Sequence, residues 1–398
     1  MPEYLPARYQ NPAIAEDIGY QETEDIIFEI KAELESVYGL AYDEMFIKAE
    51  KYLAWFKALD AIKRKLFEKG ELDGEEYKRW RRTAIFQGRE TYAMVNVLAA
   101  NLTNVNGIAA SIINGYMPEV YAVNTNWAEF QIEKALKVST SFSLYDEATV
   151  ERLIREKPDL LPKAKVDIPK DLRWNKQHMN AAILQGILQG ETTDEIAARL
   201  AAVTDMSHNS AVRNAATMTT SAQNGGRMDT YARAQDMGIA VRKRWIATLD
   251  GLTRPTHRQC DGEIRETGKK FSNGLEYPGD PKGPPSEVYN CRCVVTAVVD
   301  GQKTRLSDRD TRELERWDIS YDEWKNGKAM NSQPITRAHK NANRDLDMHK
   351  EYRKLLGNRV PSRFKDFQEL KYNRRDEWKR MVSAARVARN KRRAKNGV

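Results

Sequence analysis

The 398-residue chain is 41% hydrophobic and 31% charged, apolar enough for two or three packed domains and richer in surface charge than an average globular protein. It has no apolar run of the roughly 18 residues a membrane helix needs, and its polar, proline-bearing start MPEYLPARYQNPAIAEDIGYQE has no signal-peptide core, so folding in a cytoplasm without membrane contact is expected. The net charge of +8 is concentrated at one end: 11 Lys and Arg stand against 2 Asp and Glu from Lys371 to Val398, which leaves the preceding residues close to neutral.

Residues 1–20 read as an arm. From Thr23 to Tyr38, Ile26, Ile27, Ile30, Leu34 and Val37 fall at helical spacing, and Gly39 is a plausible stop. Asp43 can cap a second helix whose stripe runs from Met45 and Phe46 through Tyr52, Leu53 and Phe56 to Leu66, a pattern of core or helix–helix contact. Gly70 to Gly74 breaks it, and a further helical region runs from about Glu76 to Ile113. The apolar stretch NGIAASIINGYMPEVYAVN, with its Asn-Gly and Met-Pro breaks, predicts a buried hairpin, followed by a helix over Trp127 to Val138. Pro158, Pro162 and Pro169 mark an extended linker.

Three amphipathic helices are expected next. The first carries Ile183, Ile187 and Leu188 and closes at Gly190. The second is capped at Thr192 or Thr193 with Glu195 behind, and the third starts near Ser207 or Asn209 and ends at Gly238. VRKRWIATLD then reads as a strand ending in the turn dipeptide Asp250-Gly251, FSNGLEYPGDPKGPPSEVYN as a long loop, and NCRCVVTAVVD as the returning strand. Helical signals resume at Arg312–Trp317, Tyr321–Trp324, Ile335–Leu356 and Phe364–Lys395. The expected fold is mainly α with a small α+β module. A helical region occupies 1–154, a Pro-containing linker 155–174, and a module 175–300, with helices over 175–238 and β structure over 240–300. A charged helical extension with a basic tail covers 301–398.

All three cysteines lie in the β module. His257 and Cys260 are three residues apart, and Cys291 and Cys293 two apart, so the latter pair can share one face of an extended strand. Together they supply the four Cys/His ligands of a structural Zn²⁺ that would clip the loop to the second strand. Two other readings stay open: buried, metal-free cysteines beside a hydrogen-bonded histidine, and a reactive thiol. No other cofactor is indicated. His178, His208, His339 and His349 stand alone, NGGR at 224–227 lacks the context of a phosphate loop, and no Ser-His-Asp set or carboxylate pair is legible. No catalytic residue is expected, nor that the chain is an enzyme.

The segment RWIATLDGLTRPTHRQCDGEIRE…FSNGLEYPGDPKGPPSEVYNCRCVV closely resembles the Mu-F-like phage head morphogenesis family. The shared pattern falls on Trp245, Arg254, His257, Asp261, Gly262, the loop around Pro278–Pro285, Asn290, Cys291, Arg292 and Cys293. The helices before it also look like that family, so the resemblance covers about residues 175–300, and SYDEWKNGK and FKDFQELKYNRRDEW resemble extensions found in some members. Where this chain has Cys260 the family often has an apolar residue, which makes Asp261 an alternative ligand or orienting group. The resemblance implies a minor head (capsid) protein of a tailed bacteriophage, inside the head or at the portal vertex, with the portal protein as partner and scaffolding or major capsid protein as further contacts. Such proteins support head assembly, DNA packaging or ejection. The tail residues Arg386, Arg389, Lys391, Arg392, Arg393 and Lys395 would then touch double-stranded phage DNA through its phosphates, without reading sequence, or else form a solvated helix end. The alternatives are a nuclease or toxin-type enzyme using the His/Cys site, and a zinc-ribbon DNA-binding protein.

Overall fold

In a computed structural model of the chain, the described residues are 11–86, 89–136, 138–140, 144–189, 191–299, 311–313, 319–330, 342–374, 377–385 and 388. The fold is mainly helical with a small antiparallel β module, as the patterning predicts. Its helices are fewer and longer than the breaker residues suggest. Helix α1 (Pro12–Ala15) leads directly into α2 (Ile18–Glu68), so residues 11–20 are not an arm. Asn11 and Asp17 cap the two helices by accepting from Ala13 N and Tyr20 N. Helix α2 runs unbroken through Gly39 and Asp43. A glycine inside a helix costs only about 1 kcal/mol, and buried Tyr38 and Ala41 on either side bind the two predicted helices into one.

After α3 (Gly74–Phe86), helix α4 (Arg89–Leu136) passes straight through the predicted hairpin with Pro118 inside it. An interior proline costs about 3 kcal/mol. It is tolerated because Ile112, Ile113, Met117, Val120 and Tyr121 are all buried around it. The helix expected at Trp127–Val138 is the end of α4, and Val138 opens a short strand, β1 (Val138–Thr140). Helix α5 (Glu147–Glu156) is capped by Asp146, and α6 (Ile168–Gln189) begins within the predicted linker, taking Pro169 in its first turn. The second and third predicted helices are one element, α7 (Thr193–Asp236), opened by a capping box of Thr192 and Glu195. Ser207 and Asn209 lie inside it and cap nothing.

Helices α2, α4, α6 and α7 share one apolar core, from Leu34 and Phe56 through Leu98 and Ile113 to Ile183, Leu200 and Ala215. This core takes residues from both sides of the segment 155–174. Gly226 sits where α7 crosses α4, and a Cβ there would stand 2.6 Å from the Tyr121 carbonyl oxygen.

From α7 the chain enters β2 (Val241–Ile246), which lies between β3 (Ile264–Glu266) and β4 (Val294–Val299), antiparallel to both. The β2–β4 register runs from Val241 opposite Val299 to Ile246 opposite Val294, so the two strands close the base of the long loop. The loop itself carries two short helices, α8 (Pro255–Cys260) and α9 (Pro285–Val288).

Beyond the module, Thr311–Glu313 is a strand, β5, paired with β1, in place of the predicted start of a helix. Helix α10 (Tyr321–Met330) packs Tyr321 and Trp324 on Trp127 and Phe130 of α4. Helix α11 covers Ala342–Leu356, and the start expected at Ile335 lies outside the described residues. Helix α12 (Phe364–Asn373) ends before helical structure resumes over 377–385. These last helices gather around Phe367, Tyr352 and Val360. The tail residues proposed for DNA, Arg386, Arg389, Lys391, Arg392, Arg393 and Lys395, lie outside the described residues.

Candidate metal centre

The site forms where the loop returns to the sheet. Pro255 starts α8 with its fixed φ, and two residues later His257 points inward, buried against the edge of Trp245 with ring centres 5.1 Å apart. Trp245 is itself fully buried on β2 and packs edge-on against Phe271 as well. On the returning side, Asn290 adopts φ +56°, a left-handed conformation that asparagine tolerates better than most residues. That reversal turns the chain into the extended segment Cys291-Arg292-Cys293. The two cysteine side chains then point the same way, into the interior, while Arg292 points outward to form a bidentate pair with Asp250.

Helix α7 holds this segment in place with a row of polar side chains. Asn290 N donates to Thr217 Oγ1 (3.1 Å), and Thr220 Oγ1 donates to the Cys291 carbonyl (2.6 Å). Asn224 donates to the Cys293 carbonyl (3.2 Å) and accepts from Val295 N (2.8 Å). One turn further, the fully buried Arg227 donates to both carboxylate oxygens of Asp17 (2.6 and 2.7 Å), to Asn124 Oδ1 (2.9 Å) and to the Val295 carbonyl (3.1 Å). Residues near the N-terminus thus reach the module twice, since Asn11 also donates to the Ala247 carbonyl and to Asp261 Oδ1.

His257 Nδ1 stands 3.6 Å from Cys291 Sγ and 3.5 Å from Cys293 Sγ. All three side chains are buried, and among the described residues they are the group of His, Cys, Asp or Glu that could hold a metal ion. On the far side of the ring, Nε2 lies 3.0 Å from Glu287 Oε2 of α9, a close contact that is not aligned as a hydrogen bond. Burial pushes the Cys291 thiol up, but hydrogen bonds from the Cys293 side chain and backbone, with Arg254 and Arg292 nearby, hold it below the usual thiol range overall. The hydrogen bond with Cys291, together with burial, pushes Cys293 well above that range.

The other predicted site residues have different partners. Cys260 is buried, but its Sγ lies 3.2 Å from Ser272 Oγ, and burial pushes its thiol up. It is not part of the His257 cluster, so a four-ligand set is not assembled. Asp261 Oδ1 accepts from Ala247 N (2.8 Å) and from Asn11, which makes it a turn anchor between β2 and α8. Gly262 takes φ +77° and donates its N–H to the Trp245 carbonyl (2.8 Å). Arg254 donates to the Tyr289 carbonyl, tying the start of α8 to the residue before Asn290. Glu287 was not singled out in the sequence. Its only signal is its place on a short helix just before Asn290, and one carboxylate among many in a charged chain does not stand out.

The resemblance to the Mu-F-like head morphogenesis family is borne out. Residues 177–296 match the family described as Phage Mu protein F like protein. The chain is 27% identical over 305 residues to minor head protein GP7 of Bacillus phage SPP1, covering 72% of this chain and 94% of that protein. It is 25% identical over 224 residues to an uncharacterized protein of Haemophilus influenzae, spanning 46% of that protein's length. No solved structure matches. The family match and the GP7 match support a role in head morphogenesis among other phage head components, with a place in the virion head. Among the described residues, no helix is long and apolar enough to cross a membrane.

The expectation that the chain is no enzyme is overturned by a third relative. It is 33% identical over 151 residues to the NAD(+)--arginine ADP-ribosyltransferase EFV of Enterococcus faecalis. That match covers 37% of this chain and spans about a third, 31%, of the enzyme's own length. The physical reason for the correction is that spacing along a sequence reveals only catalytic groups that lie close together in it. A set assembled by folding leaves no such pattern, so its illegibility excluded nothing.

Proposed function

We propose that this protein is a minor head protein of a tailed bacteriophage that associates with the portal vertex and supports head assembly, DNA packaging or genome ejection. The observation that carries the reading is the match along nearly the whole of GP7, 94% of its length and 72% of this chain, beside the family match over residues 177–296. The architecture supports it: α2 and α4, of 51 and 48 residues, share one core with α6 and α7 and give the module a long, stiff base. Such helices present extended exposed faces, here bearing Phe28, Ile47, Trp55 and Ile62, suited to contact with another protein.

The portal protein is the proposed main partner, with scaffolding or major capsid protein as further contacts. Double-stranded DNA is proposed as a non-specific partner of the basic tail. Co-purification of the full chain with the portal protein of the same phage tests the first part, together with its recovery from isolated heads. A stable complex and head-associated copies are expected, and absence from both would sink the reading. For the tail, deletion of residues 386–398 is expected to flatten the salt dependence of DNA binding, by about 0.9 in logarithmic slope for each phosphate that the shortened chain no longer neutralises. An unchanged slope would remove DNA from the proposed partners.

A further inference from the structure

We infer that His257 Nδ1, Cys291 Sγ and Cys293 Sγ bind one zinc ion, that Glu287 orients the histidine from behind, and that Cys260 takes no part. Three observations carry this. The first is distance. A tetrahedral zinc with legs of about 2.05 Å to nitrogen and about 2.3 Å to sulfur sets N···S edges of about 3.6 Å, and the two edges here are 3.5 and 3.6 Å. Both nitrogen–sulfur separations are thus already those of the metal-bound state, and the three ligand atoms all lie within 4.8 Å of one another.

The second is proton bookkeeping. A neutral imidazole nitrogen has one lone pair and accepts one good hydrogen bond. Two buried sulfurs nevertheless face the same Nδ1. A purely hydrogen-bonded cluster uses only one of these two contacts at Nδ1 and turns the second thiol to the other sulfur, inside an apolar core that includes Trp245, Phe271 and Val295. A zinc ion satisfies all three groups at once. Binding releases the thiol protons to solvent and leaves two thiolates and a neutral imidazole, so the charge of the ion is balanced.

The third is the outer contact. A zinc-bound histidine almost always turns its other nitrogen toward a carboxylate, a backbone carbonyl or water. Glu287 Oε2 lies 3.0 Å from Nε2, in contact but not aligned as a hydrogen bond, and it accepts from Thr256 Oγ1 (2.8 Å), which ties the carboxylate to α8. The ion would therefore join α8, α9 and the base of β4. Three protein ligands leave one tetrahedral position for a small exogenous ligand. Because its ligands and their support come from α8, α9 and the base of β4, the metal would hold the loop closed.

The test uses the full chain, expressed without added chelator. Zinc content is read by elemental analysis, and coordination by cobalt substitution, in which thiolate–Co²⁺ charge-transfer bands and tetrahedral d–d bands are the signature. One zinc per chain is expected, with bands consistent with two thiolates. Cys260→Ser is expected to keep zinc and both sets of bands, whereas Cys291→Ser and Cys293→Ser lose them. Because the last two variants could simply misfold, the wild-type chain gives an independent reading. Its native form should show two newly reactive thiols when a chelator is added and none before. A folded wild-type chain that carries no zinc and gives no thiolate–cobalt bands overturns the inference. So does a folded Cys260→Ser chain that loses its metal.

Discussion

Helix α7 is two helices in its energetics. From Ile196 through Leu200 and Val203 to Ala215 it buries apolar side chains against α2, α4 and α6. From Thr217 to Thr230 it buries Thr219, Thr220, Ser221, Gln223, Asn224 and Arg227. The first half is held by non-directional packing, which works for any residue of about the right volume. The second half still places Met218 and Ala222 in that core, but through Thr217, Thr220, Asn224 and Arg227 it also holds the Asn290–Val295 segment by hydrogen bonds, each of which works only with its partner in place. The difference teaches where position matters. The apolar half needs only to be buried. The polar half sets the path of the Asn290–Val295 segment to within a hydrogen bond's tolerance and so fixes where Cys291 and Cys293 point.

The largest effect is expected where that polar half carries charge. Asp17→Ala leaves the Arg227 guanidinium buried without its counter-ion, a loss of about 3–5 kcal/mol, read by chemical denaturation. The double variant Asp17→Leu/Arg227→Met removes both charges and is expected to recover much of it, since replacing a buried pair by apolar residues of similar volume is often neutral or better. A loss below about 1 kcal/mol in the single variant, well under that range, would break the comparison, because the polar half would then owe its stability to packing.

In the apolar half, Leu200→Ala should cost about 2–5 kcal/mol from reduced burial and the cavity left behind. That loss should be global, with amide exchange in residues 291–295 rising no more than elsewhere. Asn224→Ala removes less, about 1–3 kcal/mol, by leaving the Cys293 carbonyl and Val295 N–H without their partner. Its exchange signature should be local to that segment. Equal patterns for the two variants would mean that the halves of α7 are not energetically distinct.

The same division explains what could be read from the sequence. The apolar stripes of α2, α4 and α6 and the alternation of β2 follow from periodicity alone, and so did the fold class. The helix boundaries did not. Gly39, Pro118 and Ser207 are local stop signals worth at most a few kcal/mol, and burial on both sides of each outweighs them. The burial of polar residues over 217–230 was not legible, because Thr220, Asn224 and Arg227 find their partners in residues far away in the chain, such as Cys291, Cys293 and Asp17. Two of the proposed ligand positions, Cys291 and Cys293, were legible from strand geometry. The divergence of Cys260 was not, because it depends on α8 ending at that residue and turning its thiol toward Ser272.

The smallest effect is a pH dependence, and it sharpens the comparison from the side of α4. Glu129 is buried opposite the polar half of α7 and accepts from Arg233 (2.9 Å), while its other oxygen has no hydrogen-bond partner. Burial pushes its carboxyl up from 4.5 to about 8, and Arg233 only partly offsets this. Between those two values the folded protein binds a proton that the unfolded chain does not. Its contribution to stability is therefore complete below pH 4.5 and is lost as the pH rises through about 8. The slope from one such group is at most about 1.4 kcal/mol per pH unit. Glu129→Gln keeps an acceptor for Arg233 and removes the titration, so its denaturation midpoint should fall less steeply across this range than that of the wild type. Glu33, pushed up to about 7 mainly by burial, leaves a residual slope that ends near that pH. If the variant and the wild type lose stability in parallel up to pH 8, Glu129 is already ionised in the folded state. Arg233 would then outweigh burial, and the polar half of α7 would hold α4 by a charge pair as well as by neutral hydrogen bonds.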